Sequence, residues 1–164
     1  MTAFRYCTPE WLEESARLYR ETPALKKRLE PVTTNIVFRV TADAAWGLEE
    51  DVLFGASVEK GELLELRFFD EDDARESAEF ILAATPQAWK KVLRKDAKFV
   101  AEFMLGRIVL EQGTVVGVLG LAPHATTFVD ALTQVDLRFP DELAPEELEA
   151  YRADVAAFRT QLGL

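Results

Sequence analysis

Few residues in this 164-residue sequence have the types and spacing that catalysis or metal binding requires. His124, the single histidine, stands beside Pro123 with no acid or nucleophile at a motif spacing. A general base or a histidine-based metal site needs such partners, so a structural role is favoured. Cys7, the single cysteine, precedes a predicted helix, a position that can lower a thiol pKa, but no histidine lies near it. We predict no catalytic residue, no metal site and no cofactor.

Two groups of residues partly match known patterns for calcium or phosphate binding but lack the residues that those patterns require. The acidic run from Asp70 to Asp73 lacks the alternating ligands, the glycine and the final glutamate of an EF-hand loop, so it predicts a solvated turn with a helix-starting aspartate. Gly113, Gly117 and Gly120 match neither phosphate-binding glycine pattern, and no lysine follows them. We interpret the two later glycines as positions of close helix packing or of backbone clearance for an apolar group.

The charge balance excludes classes of partner. The chain has 29 acidic and 19 basic residues, a net charge of −10. Such a field repels nucleic acid and gives no counterion release to drive binding, so we predict no nucleic-acid partner. The negative net charge also opposes constitutive docking on anionic membranes, although a local patch of basic residues can outweigh the charge of the whole chain.

The sequence predicts a cytoplasmic protein without stable membrane insertion. The start, MTAFRYCTPEWLEES, has no apolar core long enough for a signal peptide. The longest apolar region, Thr114 to Ala122, is half of the ~20 residues that a spanning helix needs. One cysteine also means that no intrachain disulfide forms.

Helices are predicted at both ends of the chain and in its second half. Threonine–proline pairs at 8–9, 22–23 and 85–86 read as an N-cap followed by a proline in the first turn. A helix over Phe99 to Leu105 ends at Gly106, which can take the left-handed capping conformation. The last helix opens at Pro145 and carries a stripe at spacings of three and four: Leu148, Tyr151, Val155, Phe158 and Leu162.

Strands are predicted mainly in the first half, where the apolar period is two. Ile36, Phe38 and Val40 alternate with Asn35, Val37 and Arg39, which suits a strand with one wet face, or nearly so. Further strands are predicted around 52–58, 64–68, 78–83 and 107–110, with a hairpin turn at Lys60-Gly61. About five strands and five or six helices, with no linker, indicate one α+β domain over residues 1–164.

The segment from Asn35 to about Leu132 resembles the sterol carrier protein type-2 domain family. A strand is followed by an acid, small residues and a tryptophan (TADAAW, 41–46), and a later strand (AEFIL, 78–82) precedes a helix that opens TPQAWKKVL, 85–93. The most specific match is AEFMLGRIVLEQG, 101–113, which is similar to the family's helix, Met-x-Gly, short strand and turn glycine. The apolar helix at 115–121 follows in the family's order.

The resemblance implies a curved, mostly antiparallel five-stranded sheet covered by helices, with an apolar tunnel between sheet and helices. The family core would span about 33–135, with extra N-terminal helices at 8–30 and an extra C-terminal helix at 145–162. Proteins of this kind bind fatty acids, acyl-CoA, phospholipids or sterols without chemical change. Because the sequence ends QLGL, we expect no peroxisomal targeting.

The resemblance also suggests which side chains line the tunnel. From the helical side we expect Phe103, Met104, Leu119, Leu121, Phe128 and Leu132, and from the sheet side Phe38, Phe54, Phe68 and Phe80. If the predicted register of a strand is wrong by one residue, its neighbouring side chains face the tunnel in place of these phenylalanines. Each of these residues can equally be ordinary core.

Two alternatives to lipid binding or transfer stay open. In the first, the cavity is collapsed and the protein is an interaction or accessory module that docks a basic partner or forms a homodimer through its C-terminal helix. In the second, the protein is an enzyme, which would require carboxylates such as Asp43 or Asp70 to converge in a cleft.

Overall fold

The computed structural model describes residues 2–164, and they form helices and strands in the mixed order of an α+β protein. In chain order these are β1 (Ala3–Arg5), α1 (Pro9–Arg20), α2 (Pro23–Arg28), β2 (Thr34–Val40), β3 (Val52–Glu59), β4 (Glu62–Phe69), α3 (Glu71–Ser77), β5 (Phe80–Ala84), α4 (Pro86–Leu93), α5 (Phe99–Met104), β6 (Val109–Gln112), α6 (Val115–Leu121), α7 (Ala125–Leu132), β7 (Asp136–Arg138) and α8 (Pro145–Leu162). The predicted fold class is confirmed.

Five strands form the main sheet, in the order β4-β3-β2-β5-β6. Only β2 and β5 run parallel, and the other neighbours are antiparallel. The β3–β4 hairpin turns at Lys60 and Gly61, which both have positive φ angles. The Tyr19 hydroxyl donates a hydrogen bond to the Gly61 carbonyl at 2.6 Å, so α1 holds this hairpin from the inner side. The mostly antiparallel five-stranded sheet was expected and is confirmed.

The threonine–proline signals mark real helix starts. The Thr8 hydroxyl accepts a hydrogen bond from the amide of Trp11 at 3.4 Å, and the Thr85 hydroxyl accepts one from the amide of Ala88 at 3.1 Å. Thr22 precedes α2 without capping it, because its hydroxyl donates to the Leu18 carbonyl instead. The sequence therefore located all three starts, although the cap is made at only two.

Part of the outer face of the sheet is covered by apolar side chains, which corrects the expectation of a wet face. Val37 and Ile81 lie in a second apolar cluster against Ala74 of α3 and are almost completely buried. Asp70 caps α3 as expected, since its carboxylate accepts a hydrogen bond from the Asp73 amide at 2.7 Å. Alternation within β2 could not reveal this cover, because the covering residues come from another segment of the chain.

Arg39 holds the outer layer together. Its guanidinium donates to Glu71 of α3 and to Glu111 of β6, each at 2.7 Å, and to Asp51 at 3.2 Å. Only 9% of its side chain is exposed, so the three carboxylates offset the desolvation of a buried charge. The hydrogen bond from Arg39 is also the main reason why the pKa of Glu71 is lowered.

A small second sheet anchors the N-terminus and was not predicted. β1 pairs with β7 in parallel, and Ala3 lies opposite Asp136. Each strand has three residues, which is too short to show an apolar period. Directly after β1, Tyr6 and Cys7 are completely buried, and Cys7 adopts a positive φ of 59°.

The C-terminal helix α8 closes the same core with part of its apolar stripe. Tyr151, Val155 and Phe158 are buried, whereas Leu162 is half exposed. The rings of Phe158 and Phe68 stack with their centroids 5.1 Å apart. The Tyr151 hydroxyl donates a hydrogen bond to the main-chain carbonyl of Tyr6, so the two ends of the chain are joined in the interior.

One helical run is longer and more apolar than the sequence pattern predicted. Val115–Leu132 has the length and composition of a membrane-spanning helix, which corrects the expectation that no stretch approaches this size. A 3-10 turn at Ala122–His124 separates α6 from α7 within it. Only 22% of the run is buried, and Trp11 ties its end to α1 through a hydrogen bond to the Leu132 carbonyl. The run therefore lies over the inner face of the sheet, with its other side facing solvent.

Removing either of two buried tyrosine hydroxyls is expected to have opposite consequences. Tyr151→Phe deletes the donor to the Tyr6 carbonyl and should lower the free energy of unfolding by about 1–2 kcal/mol. Tyr6→Phe deletes a hydroxyl that has no hydrogen-bond partner among residues 2–164, so stability should stay the same or rise. Urea denaturation followed by tryptophan fluorescence measures both. Equal losses in the two variants would contradict this assignment.

The Cys7 thiol is expected to be unreactive in the folded protein. Burial raises the pKa of the Cys7 thiol well above its usual value. This outweighs any lowering by the nearby helix, because the thiol has no access to solvent. A colorimetric disulfide reagent at mildly alkaline pH should label the protein at the rate at which it opens. The same protein in urea should react at once, and rapid labelling of the native form would show that Cys7 is exposed.

Candidate functional site

An apolar cavity lies between the inner face of the sheet and the helices of the second half. Its volume is about 60 Å³, well below the ~300 Å³ of a small ligand pocket. The side chains around it are Tyr6, Ile36, Phe38, Phe54, Leu82, Trp89, Val92, Leu93, Phe99, Val118, Leu121, Ala125, Phe128, Val129 and Leu132. Such a lining favours an apolar group.

Two lining side chains carry a polar atom. The indole of Trp89 donates to the main-chain carbonyl of Arg39 at 2.9 Å, so it is satisfied by the sheet. The Tyr6 hydroxyl has no hydrogen-bond partner among residues 2–164, and burial raises its pKa well above the usual value. The aromatic ring of Phe38 packs edge-on against Trp89, with ring centroids 5.5 Å apart. Aromatic rings therefore form part of the cavity wall on the sheet side.

Two further spaces adjoin this cavity. A smaller void of about 30 Å³ shares Phe38, Phe128 and Leu132 with it and extends toward Tyr19. A groove of about 330 Å³ shares Val92, Phe99, Ala125 and Val129. The remaining lining of the groove is Lys95, Ala97, Lys98, Val100, Ala122 and Thr126. The three spaces thus follow one another from the core below α1 to the surface between α5 and α7.

Two lysines stand at the groove. The ammonium of Lys95 lies 2.6 Å from a carboxylate oxygen of Asp130. Lys98 makes no ion pair in the part of the chain that the structure describes. The groove therefore combines an apolar floor with one unpaired positive charge.

Two glycines let α6 close over the cavity. A Cβ atom at Gly117 would lie 2.6 Å from the ring of Phe80, and one at Gly113, where φ is +104°, would lie 2.5 Å from it. The interpretation of Gly117 as a close-packing position agrees with this contact. No heavy atom lies within 4 Å of a Cβ built at Gly120, so close packing does not explain that glycine.

The structure brings five of the ten expected tunnel residues to the cavity: Phe38, Phe54, Leu121, Phe128 and Leu132. Phe68 stacks on Phe158 of α8, Phe80 contacts the two glycines, and Phe103 stacks on Phe99 behind the cavity wall. Met104 is 68% exposed and Leu119 is 44% exposed, so neither lines the cavity.

Helical periodicity could have identified some of the residues that were missed. Leu119 and Leu121 are two positions apart and lie on opposite sides of a helix, so at most one of them can face inward. Val118 and Leu121 are three apart, and both line the cavity. Tyr6 has no such signal, because it reaches the cavity only through the pairing of β1 with β7.

The carboxylates considered for an enzyme are used as caps. Asp43 accepts hydrogen bonds from the amide of Ala45 at 3.0 Å and from the side chain of Gln87 at 2.6 Å. Asp70 caps α3. Among residues 2–164, no group of three or more His, Cys, Asp or Glu side chains is placed to hold a metal ion. His124 lies in the 3-10 turn between α6 and α7.

Comparison with known proteins relates the chain to solved structures. No protein-family model and no curated protein sequence matches it. The solution structure of a conserved hypothetical protein from Thermus thermophilus, a candidate sterol carrier protein, superposes with a TM-score of 0.69. The two share 20% identity over 80% of this chain and 90% of that one. A crystal structure of sterol carrier protein 2 superposes with a TM-score of 0.68 and 20% identity, over 78% of this chain and 97% of that one.

These similarities establish the fold. The chain has a sterol carrier protein type-2-like fold, as the sequence motifs indicated. At 20% identity the likeness concerns architecture.

Proposed function

We propose that this protein binds a lipid reversibly between its sheet and its helices and carries it without chemical change. The observation that supports the proposal is the row of adjoining apolar spaces that ends at a surface groove. The two similar structures are a candidate sterol carrier protein and sterol carrier protein 2, names that agree with a lipid as ligand.

The energetics suit a ligand with a long apolar part. Each buried methylene contributes about 0.8 kcal/mol, so an acyl chain binds by burial without polar anchors. The cavity wall offers one unpartnered hydroxyl, that of Tyr6, while charged groups occur only at the groove. A headgroup would therefore remain at the groove, close to Lys98, while the chain extends toward Tyr6.

The small cavity volume means that binding requires expansion. Side chains of Phe99, Ala125 and Val129 separate the cavity from the groove. The helices above them, α5 and α6, are only six and seven residues long, and each keeps one apolar face in solvent. An outward movement of α5 and α6 would expose little additional apolar surface. We therefore expect these two helices to move when a ligand enters.

An interaction module with a collapsed cavity is the second candidate, favoured by the cavity volume of about 60 Å³. Its expected dimer through α8 is disfavoured, because Tyr151, Val155 and Phe158 are already buried inside the chain. A dimer through these residues would require α8 to leave the core.

Native mass spectrometry of the protein purified without lipid treatment tests the proposal. We expect a co-purifying species of fatty-acid or phospholipid mass that disappears after organic extraction. An empty protein that also fails to bind a fluorescent acyl probe would support the collapsed-cavity alternative.

A cavity-filling substitution tests where the ligand binds. Ala125 lines both the cavity and the groove, so Ala125→Phe should block the passage and weaken acyl-probe binding at least ~10-fold, equivalent to about 1.4 kcal/mol. Ala156→Phe on the exposed side of α8 adds the same side chain elsewhere and should leave binding unchanged. Circular dichroism confirms that both variants are folded. Unchanged affinity of Ala125→Phe would place the ligand elsewhere.

A further inference from the structure

Exposed apolar side chains are concentrated beside the groove. Of the nine large apolar side chains that are exposed within residues 2–164, seven belong to segment 100–119. The other two, Leu64 and Leu162, lie on β4 and α8. Soluble proteins carry exposed apolar residues singly, and a cluster marks an interaction surface.

These side chains occupy the outer faces of α5 and α6. In α5, Val100 and Met104 are four residues apart and share one face, while Phe99 faces the cavity. In α6, Val115 and Leu119 share the face that continues to Ala122. Val100 and Ala122 both line the groove, so the two faces meet there. We call the exposed residues Val100, Met104, Val115, Val116 and Leu119 the apolar rim.

The charge around the apolar rim differs in sign from that of the whole chain. Residues 85–129 contain six basic and three acidic residues, a net charge of +3, whereas the rest of the chain carries −13. Lys91 and Lys98 are exposed and make no ion pair in the described part of the chain, and Lys98 lies on the groove. The mouth of the groove is thus apolar and locally cationic within an acidic protein.

We propose that the apolar rim docks this protein, groove first, onto the surface of an anionic lipid bilayer. Shallow burial of apolar side chains combined with lysine contacts to anionic headgroups is how peripheral proteins bind membranes. The acidic remainder of the molecule is repelled by the same surface, which orients the groove toward it. The proposal rests on the proposed lipid-binding function. A protein docked in this way could take up a lipid directly from the bilayer, and the acyl chain of that lipid would not pass through water.

Charge also argues against the other occupants of this surface. A symmetric dimer through the apolar rim would place the same cationic patch of two copies against itself. A nucleic acid would neutralise the lysines but would leave the aliphatic side chains of Met104 and Val116 unused. An anionic bilayer satisfies both the charge and the apolar surface.

Sedimentation with sucrose-loaded vesicles tests the docking. The full chain should bind vesicles of phosphatidylglycerol and phosphatidylcholine and should bind pure phosphatidylcholine less well. The double variant Met104→Asp, Val116→Asp changes residues that are 68% and 81% exposed, and it should lose at least ~10-fold in vesicle affinity. Leu64→Asp changes a residue that is 53% exposed on β4 and should bind as the wild type does. Matching melting temperatures exclude a folding defect at these surface positions.

A second pair of variants isolates the charge. Lys98→Glu should weaken binding to the phosphatidylglycerol vesicles severalfold, whereas Lys27→Glu, at an exposed lysine of α2, should not. Raising the salt concentration from about 0.1 M to about 1 M shortens the Debye length from about 10 Å to about 3 Å and should reduce the preference for anionic vesicles.

The outcomes separate docking from lipid binding. Acyl-probe binding without vesicles should survive in the Met104→Asp, Val116→Asp variant, since neither residue lines the cavity. A wild type that binds vesicles but no acyl probe would overturn the proposed function and leave docking standing. Docking itself is overturned if the wild type binds no vesicles, if the rim variant binds like Leu64→Asp, or if light scattering shows a dimer that the rim variant abolishes.

Discussion

The inner face of the five-stranded sheet is apolar and aromatic, and the covering of this face is the constraint on which the rest of the structure depends. Phe38 and Phe54 project from neighbouring strands, with ring centroids 5.4 Å apart. The N-terminal helix α1 and the run α6–α7 together shield them, and Trp11 links the two through the Leu132 carbonyl. Two apolar voids, of about 60 and 30 Å³, remain between these helices and the sheet.

The two chain termini make this arrangement stable. Tyr6 follows β1 into the interior, packs against Phe139, and accepts a hydrogen bond from Tyr151 of α8 on its main-chain carbonyl. One side of the molecule is therefore closed by buried aromatic packing and internal hydrogen bonds. By contrast, α5 and α6 keep several apolar side chains exposed. The helices that we propose to move are therefore the ones beside the groove, where the proposed ligand and the proposed membrane surface would be met.

Local signals in the sequence predicted most of the fold. Threonine–proline pairs located three helix starts, the period of two located β2 to β4, and Lys60-Gly61 located their hairpin. These features depend on neighbouring residues alone. Of the side chains expected on the sheet side of the tunnel, Phe38 and Phe54 line the cavity, whereas Phe68 packs on Phe158. The alternation of side chains along β4 could not show that α8 packs against this strand. The two rings in contact, Phe68 and Phe158, are separated by about 90 residues of chain.

By itself the sequence determined the α+β class, the order of the main elements and the family resemblance, because these follow from apolar periodicity, capping residues and short motifs. Only the tertiary structure decided which apolar side chains surround a void and which reach solvent. Val118 and Leu119 are adjacent in sequence and equally apolar, yet one is buried beside the cavity and the other is 44% exposed. The difference depends on the orientation of α6, which is set by its contact with Phe80 across Gly113 and Gly117.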